Sequence, residues 1–378
     1  MKNFKNVRAV KFTAEFDGMG CVNFDSKSQS FFLNSNGLWS EETKNGNILL
    51  AKKIFDNYVT SEGDTATRFK YKVSSECIRH AMYEDVMPFQ NPNISSIPTI
   101  LYNAIAMPCY ISRGYMFTVK GKNSLRKKSA VTVCDAVEDG AWRNKLTFDF
   151  HSRTGEKNTE VKEKDDAKDT VIYNIENVGN ITYKSEGYID MTELQFIPGD
   201  PLYDRMAIDA DGGVNEALYL NALKRNFPSF NGGFDYYYID NTYSNDEWAE
   251  RGILLDTESV NTMVKDILKR IINVNIVRRN AYFKFKSLKI TVIMDNGERE
   301  VDIEITSDNV MDFNFEYFRK YSVADEKKIA ANKNIVKEVA EAIKEQKKEE
   351  KRQQQQNKKT TKKSGKGKKS VDVELNEE

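Results

Sequence analysis

The strongest constraint on the fold lies in residues 256–305. Val260, Met263, Val264, Ile267, Ile271 and Val274 recur at the i, i+3, i+4, i+7 spacing of one apolar helix face, with Asp256 or Thr257 placed to cap it. A long strand over residues 282–294 follows, with Phe283 and Phe285 on one face and Tyr282, Lys284 and Lys286 on the other. Asp295-Asn296-Gly297 then returns the chain into residues 301–305. A helix with a single apolar stripe must bury it against something, and a two-faced strand beside it implies mixed α+β packing.

The same alternation opens the chain. Residues 7–16 read as a half-buried strand, and Asp17-Gly18-Met19-Gly20 permits a sharp bend into residues 21–25. Residues 67–73 form another short element, in which Arg68, Lys70 and Lys72 recur at period two on one face, suited equally to solvent or to a nucleic acid. Residues 34–47 are polar and rich in asparagine, an exposed loop. Residues 97–110 are an apolar run assigned to core without a secondary-structure type. Residues 191–197 read as a core strand and 214–225 as a helix stopped near Pro228.

Between 143 and 188 lies a projecting hairpin or loop. A charged insertion, 156–170, precedes Val171-Ile172-Tyr173, and Gly179-Asn180 supplies a turn before Ile181-Thr182-Tyr183-Lys184. Past Tyr321 the folded part is expected to end. Residues 322–351 favour a helix with a thin apolar stripe, and 352–378 are glutamine- and lysine-rich with an acidic end, a disordered tail.

Composition removes several function classes. Lys+Arg 57 equals Asp+Glu 57, so net charge does not decide on nucleic acid and the distribution must. Two histidines, His80 and His151, weaken histidine-based catalysis and metal binding, and Cys21, Cys77, Cys109 and Cys134 form no CxxC pair. The thiols are expected reduced and packed. No glycine-rich phosphate loop occurs, and no stretch approaches the ~18 apolar residues of a membrane span. The expectation is a soluble cytoplasmic protein with no cofactor, no metal and no membrane partner.

Between 74 and 135 basic residues stand in short motifs at the edges of regular elements. Ser74 or Ser75 caps a helix whose Cys77, Ile78, Ala81 and Met82 face inward, while Arg79, His80 and Tyr83 lie on another side. Arg113-Gly114-Tyr115 and Arg126-Lys127-Lys128-Ser129 follow at the edges of apolar elements. Cations and rings in such places suit a phosphate backbone.

These motifs, taken in order, carry a family resemblance. Residues 7–24 with Gly20-Cys21-Val22-Asn23, Ser75-Glu76-Cys77-Ile78-Arg79-His80, Arg113-Gly114-Tyr115, Arg126-Lys127-Lys128-Ser129, Glu193-Leu194-Gln195-Phe196-Ile197, Tyr203-Asp204-Arg205 and Arg251-Gly252-Ile253-Leu254-Leu255 keep their order from about the N-terminus to Met294, roughly three quarters of the chain. The set resembles the crRNA-binding backbone subunit of type I CRISPR effector complexes, in the RAMP superfamily, and most of all its type I-F variant form.

The resemblance implies an α+β fold with an RRM-like (ferredoxin-like) palm over residues 1–321, inserted finger and thumb elements, and a disordered basic C-terminal tail. Residues 143–188 are the expected thumb, with 34–47 a rival. It implies copies stacked along a guide RNA (crRNA), target nucleic acid recognised by base pairing, and other effector-complex subunits as partners. Arg79, His80, Arg113, Tyr115, Arg126, Lys127 and Lys128 become the expected guide contacts. Two other classes stay open: a RAMP-type endoribonuclease acting through Asp25, and a structural protein whose tail binds nucleic acid incidentally.

Overall fold

The computed structural model describes residues 2–23, 31–33, 39–41, 48–49, 51–85, 97–118, 124–145, 148–154, 170–199, 206–209, 214–239, 249–278 and 281–324. The chain divides into two compact units, residues 1–234 with 252–320, and residues 235–251 with 321–378.

The first unit is built on a ten-stranded, mostly antiparallel sheet. Its order is Asn275–Arg278, Ala281–Met294, Lys2–Met19, Ile181–Asp190, Ala136–Glu138, Thr65–Val73 and Lys53–Val59. Arg299–Glu304, Phe313–Tyr317 and Val131–Val133 join as branches, and only Phe313–Tyr317 runs parallel to its neighbour. Lys2–Met19 lies at the centre because it alternates: Val10, Phe12, Ala14 and Phe16 are buried while Lys11 is exposed and Thr13, Glu15 and Asp17 are half-exposed. Opposite Phe12, Gly187 leaves room for the ring, since a Cβ there would fall 1.9 Å from it.

Six helices lie among the described residues: α1 (Ser75–Met82), α2 (Pro98–Ile105), α3 (Pro108–Arg113), α4 (Met191–Gln195), α5 (Val214–Asn226) and α6 (Thr257–Ile272). The apolar stripe of α6 is buried at Val260, Met263, Val264 and Ile267, in one hydrophobic cluster with Val10, Phe12 and Phe16. Asp256 caps it, its Oδ1 accepting the Ser259 amide at 2.7 Å. The apolar run 97–110 becomes α2 and α3, each opened by a proline at the first helical position, where the missing N–H costs nothing. Gly297, at φ 87, makes the expected turn after Met294.

Three expectations are corrected. Residues 191–195 form helix α4 rather than a strand, because the Asp190 carboxylate accepts the Thr192 and Glu193 amides; only Phe196–Pro198 is extended. Gly179-Asn180 does not join two paired strands. Thr170–Glu176 pairs with Phe148–Thr154, whereas Ile181–Asp190, buried at every second residue, joins the central sheet. The hairpin therefore spans Phe148–Glu176. Cys134 is exposed, not packed; Cys21 and Cys109 are buried, and burial pushes the Cys21 thiol up to about 12.

Within residues 34–47, Trp39–Glu41 pairs with Phe31–Leu33, and the remainder lies outside the described residues. So do Asp25, the charged insertion 156–169, the Tyr203-Asp204-Arg205 motif, the helical extension 325–351 and the tail. In the second unit, Phe234–Ile239 pairs with Tyr321–Val323 in the register Tyr237↔Val323. Among the described residues no helix is long and apolar enough to cross a membrane.

Candidate nucleic-acid interface

The basic motifs converge on one corner of the first unit, where α1, α3 and a small hairpin meet. The first amide of α1 is bonded not by Ser74 but by Asp135, whose Oδ1 accepts the Ser75 N–H at 2.8 Å while its Oδ2 accepts Lys72 Nζ at 2.9 Å. Ser74 Oγ instead accepts Asn23 Nδ2 at 2.8 Å. Ile78 and Met82 are buried as the spacing required, and Arg79 and His80 face away from them, half-exposed and exposed respectively.

Tyr83 departs from expectation. It is 3% exposed, and its hydroxyl lies 3.2 Å from Ser112 Oγ. The Arg113 and Arg270 guanidinium groups lie 5.9 and 5.1 Å from its ring centroid. Arg270 is committed to structure, bonded to Asp85, Asp266 and the Met82 carbonyl. Arg113 has no ion pair among the described residues; it closes α3 with its guanidinium against that one ring.

Gly114 explains the tightness of the corner. At φ 75 it turns α3 directly into Tyr115–Phe117, which pairs with Leu125–Lys127. A Cβ at Gly114 would lie 2.5 Å from the Ser129 amide nitrogen and 2.6 Å from the Lys127 carbonyl. This close approach lets Arg79 span the corner, its Nη2 donating to the Arg113 carbonyl at 3.0 Å and to Ser129 Oγ at 3.4 Å.

Two of the seven expected contacts turn inward. Lys127 is 4% exposed; its ammonium donates to the Glu193 carbonyl at 2.7 Å and pairs with the Glu193 carboxylate at 3.6 Å. Burial lowers its pKa from the ordinary lysine range, with Glu193 pulling the other way. Tyr115 is half-buried and donates its hydroxyl to the Ala207 carbonyl at 3.0 Å. Both serve packing, because alternation in a short hairpin sends neighbouring side chains to opposite faces. Lys128 remains outside, its side chain 68% exposed and 3.1 Å from Glu193 Oε1. Arg126 is half-buried, with its amide donating to the Met206 carbonyl at 2.8 Å.

At the corner Arg79, Arg113 and Lys128 lie around the buried Lys127; Glu193 pairs with the two lysines, and neither arginine has an ion pair among the described residues. The other partners of these cations are carbonyls, a hydroxyl and a ring. Such groups orient a cation without cancelling its charge, so the surface is chemically suited to phosphate. Among the described residues no group of acidic, histidine and cysteine side chains is arranged to hold a metal ion.

Sequence reasoning missed Ser129 and Gly114 as organisers of the corner. The Arg113-Gly114 step was the available signal, since a glycine directly after a helix commonly takes positive φ.

The structure is an α+β body with a large antiparallel sheet and a cationic corner suited to phosphate. The sequence profile of the type I-Fv CRISPR-associated Cas7fv-like family matches residues 7–325. The chain belongs to that family. Among solved structures, a chain of a "CRISPR RNA-guided surveillance complex" is similar with a TM-score of 0.33 and 10% identity, covering 89% of this chain and 84% of that one. A chain of a "CRISPR RNA-guided surveillance complex, pre-nicking" gives 0.33 and 9%, covering 76% and 79%. No curated protein matches the chain. The family assignment rests on the profile match alone.

Proposed function

We propose that the chain is a non-catalytic RNA-binding subunit that oligomerises along a CRISPR guide RNA and forms the backbone of a target-surveillance complex. Family membership gives the setting, and the cationic corner carries the reading: Glu193 is shared by Lys127 and Lys128, and Arg79 and Arg113 have no ion pair among the described residues. Its partners are the guide RNA, target nucleic acid paired to it, further copies of the chain and other complex subunits. The contacting groups are Arg79, His80, Arg113, Arg126 and Lys128, while Lys127 and Tyr115 shape the surface from beneath.

The open face of the central sheet supports this division of labour. Lys11 pairs with Glu186 at 3.0 Å and Lys286 with Asp17 at 3.1 Å, and Ser287 Oγ donates to Glu15 at 3.1 Å. Charge pairs occupy much of this face, which also carries the exposed Tyr188, so it differs from an RRM sheet with a row of open rings. Bases held at the corner by their phosphates stay free to pair. In this reading the central sheet with α6 is the RRM-like palm, and Phe148–Glu176 is the thumb that interrupts the guide.

The test is to express the protein with a repeat–spacer transcript, purify it and sequence the RNA that accompanies it. Protected RNA of regular length, in particles much larger than the 43.4 kDa chain, is expected. A nucleic-acid-free monomer overturns the proposal.

A further inference from the structure

A second cationic face lies on the outer hairpin of Lys53–Val59 and Thr65–Val73. The register Ile54↔Lys70, Asp56↔Arg68 and Tyr58↔Ala66 places Tyr58, Arg68, Lys70 and Lys72 on one side. Trp142 joins them through the backbone bridge between Phe69 and Arg143, two N–H···O bonds of 2.8 Å. The Arg68 guanidinium lies 4.9 Å from the Tyr58 ring centroid and 5.1 Å from that of Trp142, and Lys70 Nζ lies 5.4 Å from Trp142.

The five groups differ in how firmly they are held. Arg68 is fixed, its Nε donating to Asp56 Oδ2 at 2.7 Å. Lys72 is held by Asp135. Lys70 has no ion pair among the described residues and rests against the indole alone. Tyr58 and Trp142 are both half-exposed, unlike the neighbouring Phe69 and Tyr71, which the core covers almost completely. A half-open indole flanked by one fixed and one loosely held cation has the chemistry of a single-strand platform: the ring stacks a base and a cation takes its phosphate.

We propose that this face binds an unpaired nucleic-acid strand other than the guide. One base stacks on Trp142 in the position Lys70 occupies, Lys70 turns to the adjoining phosphate, and Arg68, held by Asp56 and close to Tyr58, stays beside the ring. Pairing of a guide with one strand of a duplex leaves the other unpaired. The origin of the ligand thus rests on the scaffold reading, while the chemistry of the face does not. Asp135 joins the row to the α1–α3 corner, since it holds both Lys72 and the first amide of α1.

The experiment titrates the purified, guide-loaded protein with labelled oligo-dT and oligo-U, neither complementary to the guide, and follows fluorescence anisotropy. Trp142→Ala is expected to weaken binding about tenfold or more, the scale of losing one base–aromatic stack. Trp142→Tyr, which keeps a ring, is expected to restore most of the affinity, and Lys70→Ala to reduce the salt slope by about one. Binding of oligo-dT alone assigns the face to DNA, and binding of oligo-U alone to RNA. Unchanged affinity in Trp142→Ala, or equal affinity for a duplex of the same length, overturns the proposal. Guide content, read by ultraviolet absorbance in the same samples, reports separately on the scaffold reading, and the titration reads the face whether or not a guide is present.

Discussion

Two charged clusters in the first unit look alike in the sequence and differ completely in what they can do. Around Tyr71, Glu176 accepts the Tyr71 hydroxyl at 2.6 Å, the Ala51 amide at 3.0 Å and the Lys53 ammonium. Glu138 beside it accepts Arg143 Nε at 2.8 Å and the Tyr71 amide at 3.2 Å. Two carboxylates thus meet two cations, and Lys53 and Glu176 are withdrawn from solvent with side-chain exposures of 4% and 0%. At the α1–α3 corner Lys127 and Lys128 share Glu193, and Arg79 and Arg113 have no ion pair among the described residues. Charge that is matched and buried serves the fold; charge held by neutral oxygens at the surface is left for a ligand.

The largest effect is expected where the matched cluster is broken. Glu176→Ala leaves Lys53 buried and uncompensated, and is expected to cost about 3–5 kcal/mol of unfolding free energy in denaturant titrations. Tyr71→Phe should be milder, since it removes one buried bond. A Glu176→Ala protein as stable as wild type would erase the contrast between the clusters.

At the corner the expectation reverses. Arg79→Ala with Arg113→Ala should lower guide affinity and cut the salt slope by about two, one for each phosphate contact. Equal guide recovery at raised salt would count against the corner as the interface. Adjacent lysines sharpen the same comparison. Lys128→Ala should reduce the salt slope by about one and leave stability within the ~1 kcal/mol of an exposed ion pair. Lys127→Met should leave the salt slope unchanged and register only in the unfolding midpoint.

The smallest effect concerns Asp135. Partial burial opposes its ionisation, but Lys72 and the Ser75 amide outweigh it and hold its carboxyl below the usual carboxylate range. A depressed carboxylate adds stability above its unfolded pKa, near ~3.9, which is lost as pH falls through the folded value. Asp135→Asn should therefore flatten the acid limb of the stability profile and leave the alkaline limb unchanged.

Much of this was legible in the sequence, and the rest for identifiable reasons was not. The α6 stripe, the alternation of Lys2–Met19 and the turn at Gly297 are local patterns, and each is found where its period requires. The separate fates of Lys127 and Lys128 depend on Glu193, more than sixty residues away, which no local pattern reveals. Tyr83 was placed outward by helical geometry, yet it follows the last residue of α1 and turns into the core. Residues 191–197 read as a strand by their apolar content, and only the Asp190 side chain, by bonding two amides, turns the chain into α4.

The central position of Lys2–Met19 also sets the order of events during synthesis. Its two antiparallel neighbours are Ile181–Asp190 and Ala281–Met294, and its parallel neighbour is Phe313–Tyr317. Lys2–Met19 is thus made well before its partners: one edge waits for Ile181–Asp190 and the other for Ala281–Met294. Contacts so distant along the chain fold slowly and leave sticky intermediates. A nascent chain stalled before residue 281 would lack the strand that closes the sheet. Yield in a foreign host should therefore respond to growth temperature and chaperone supply more than to changes at the surface.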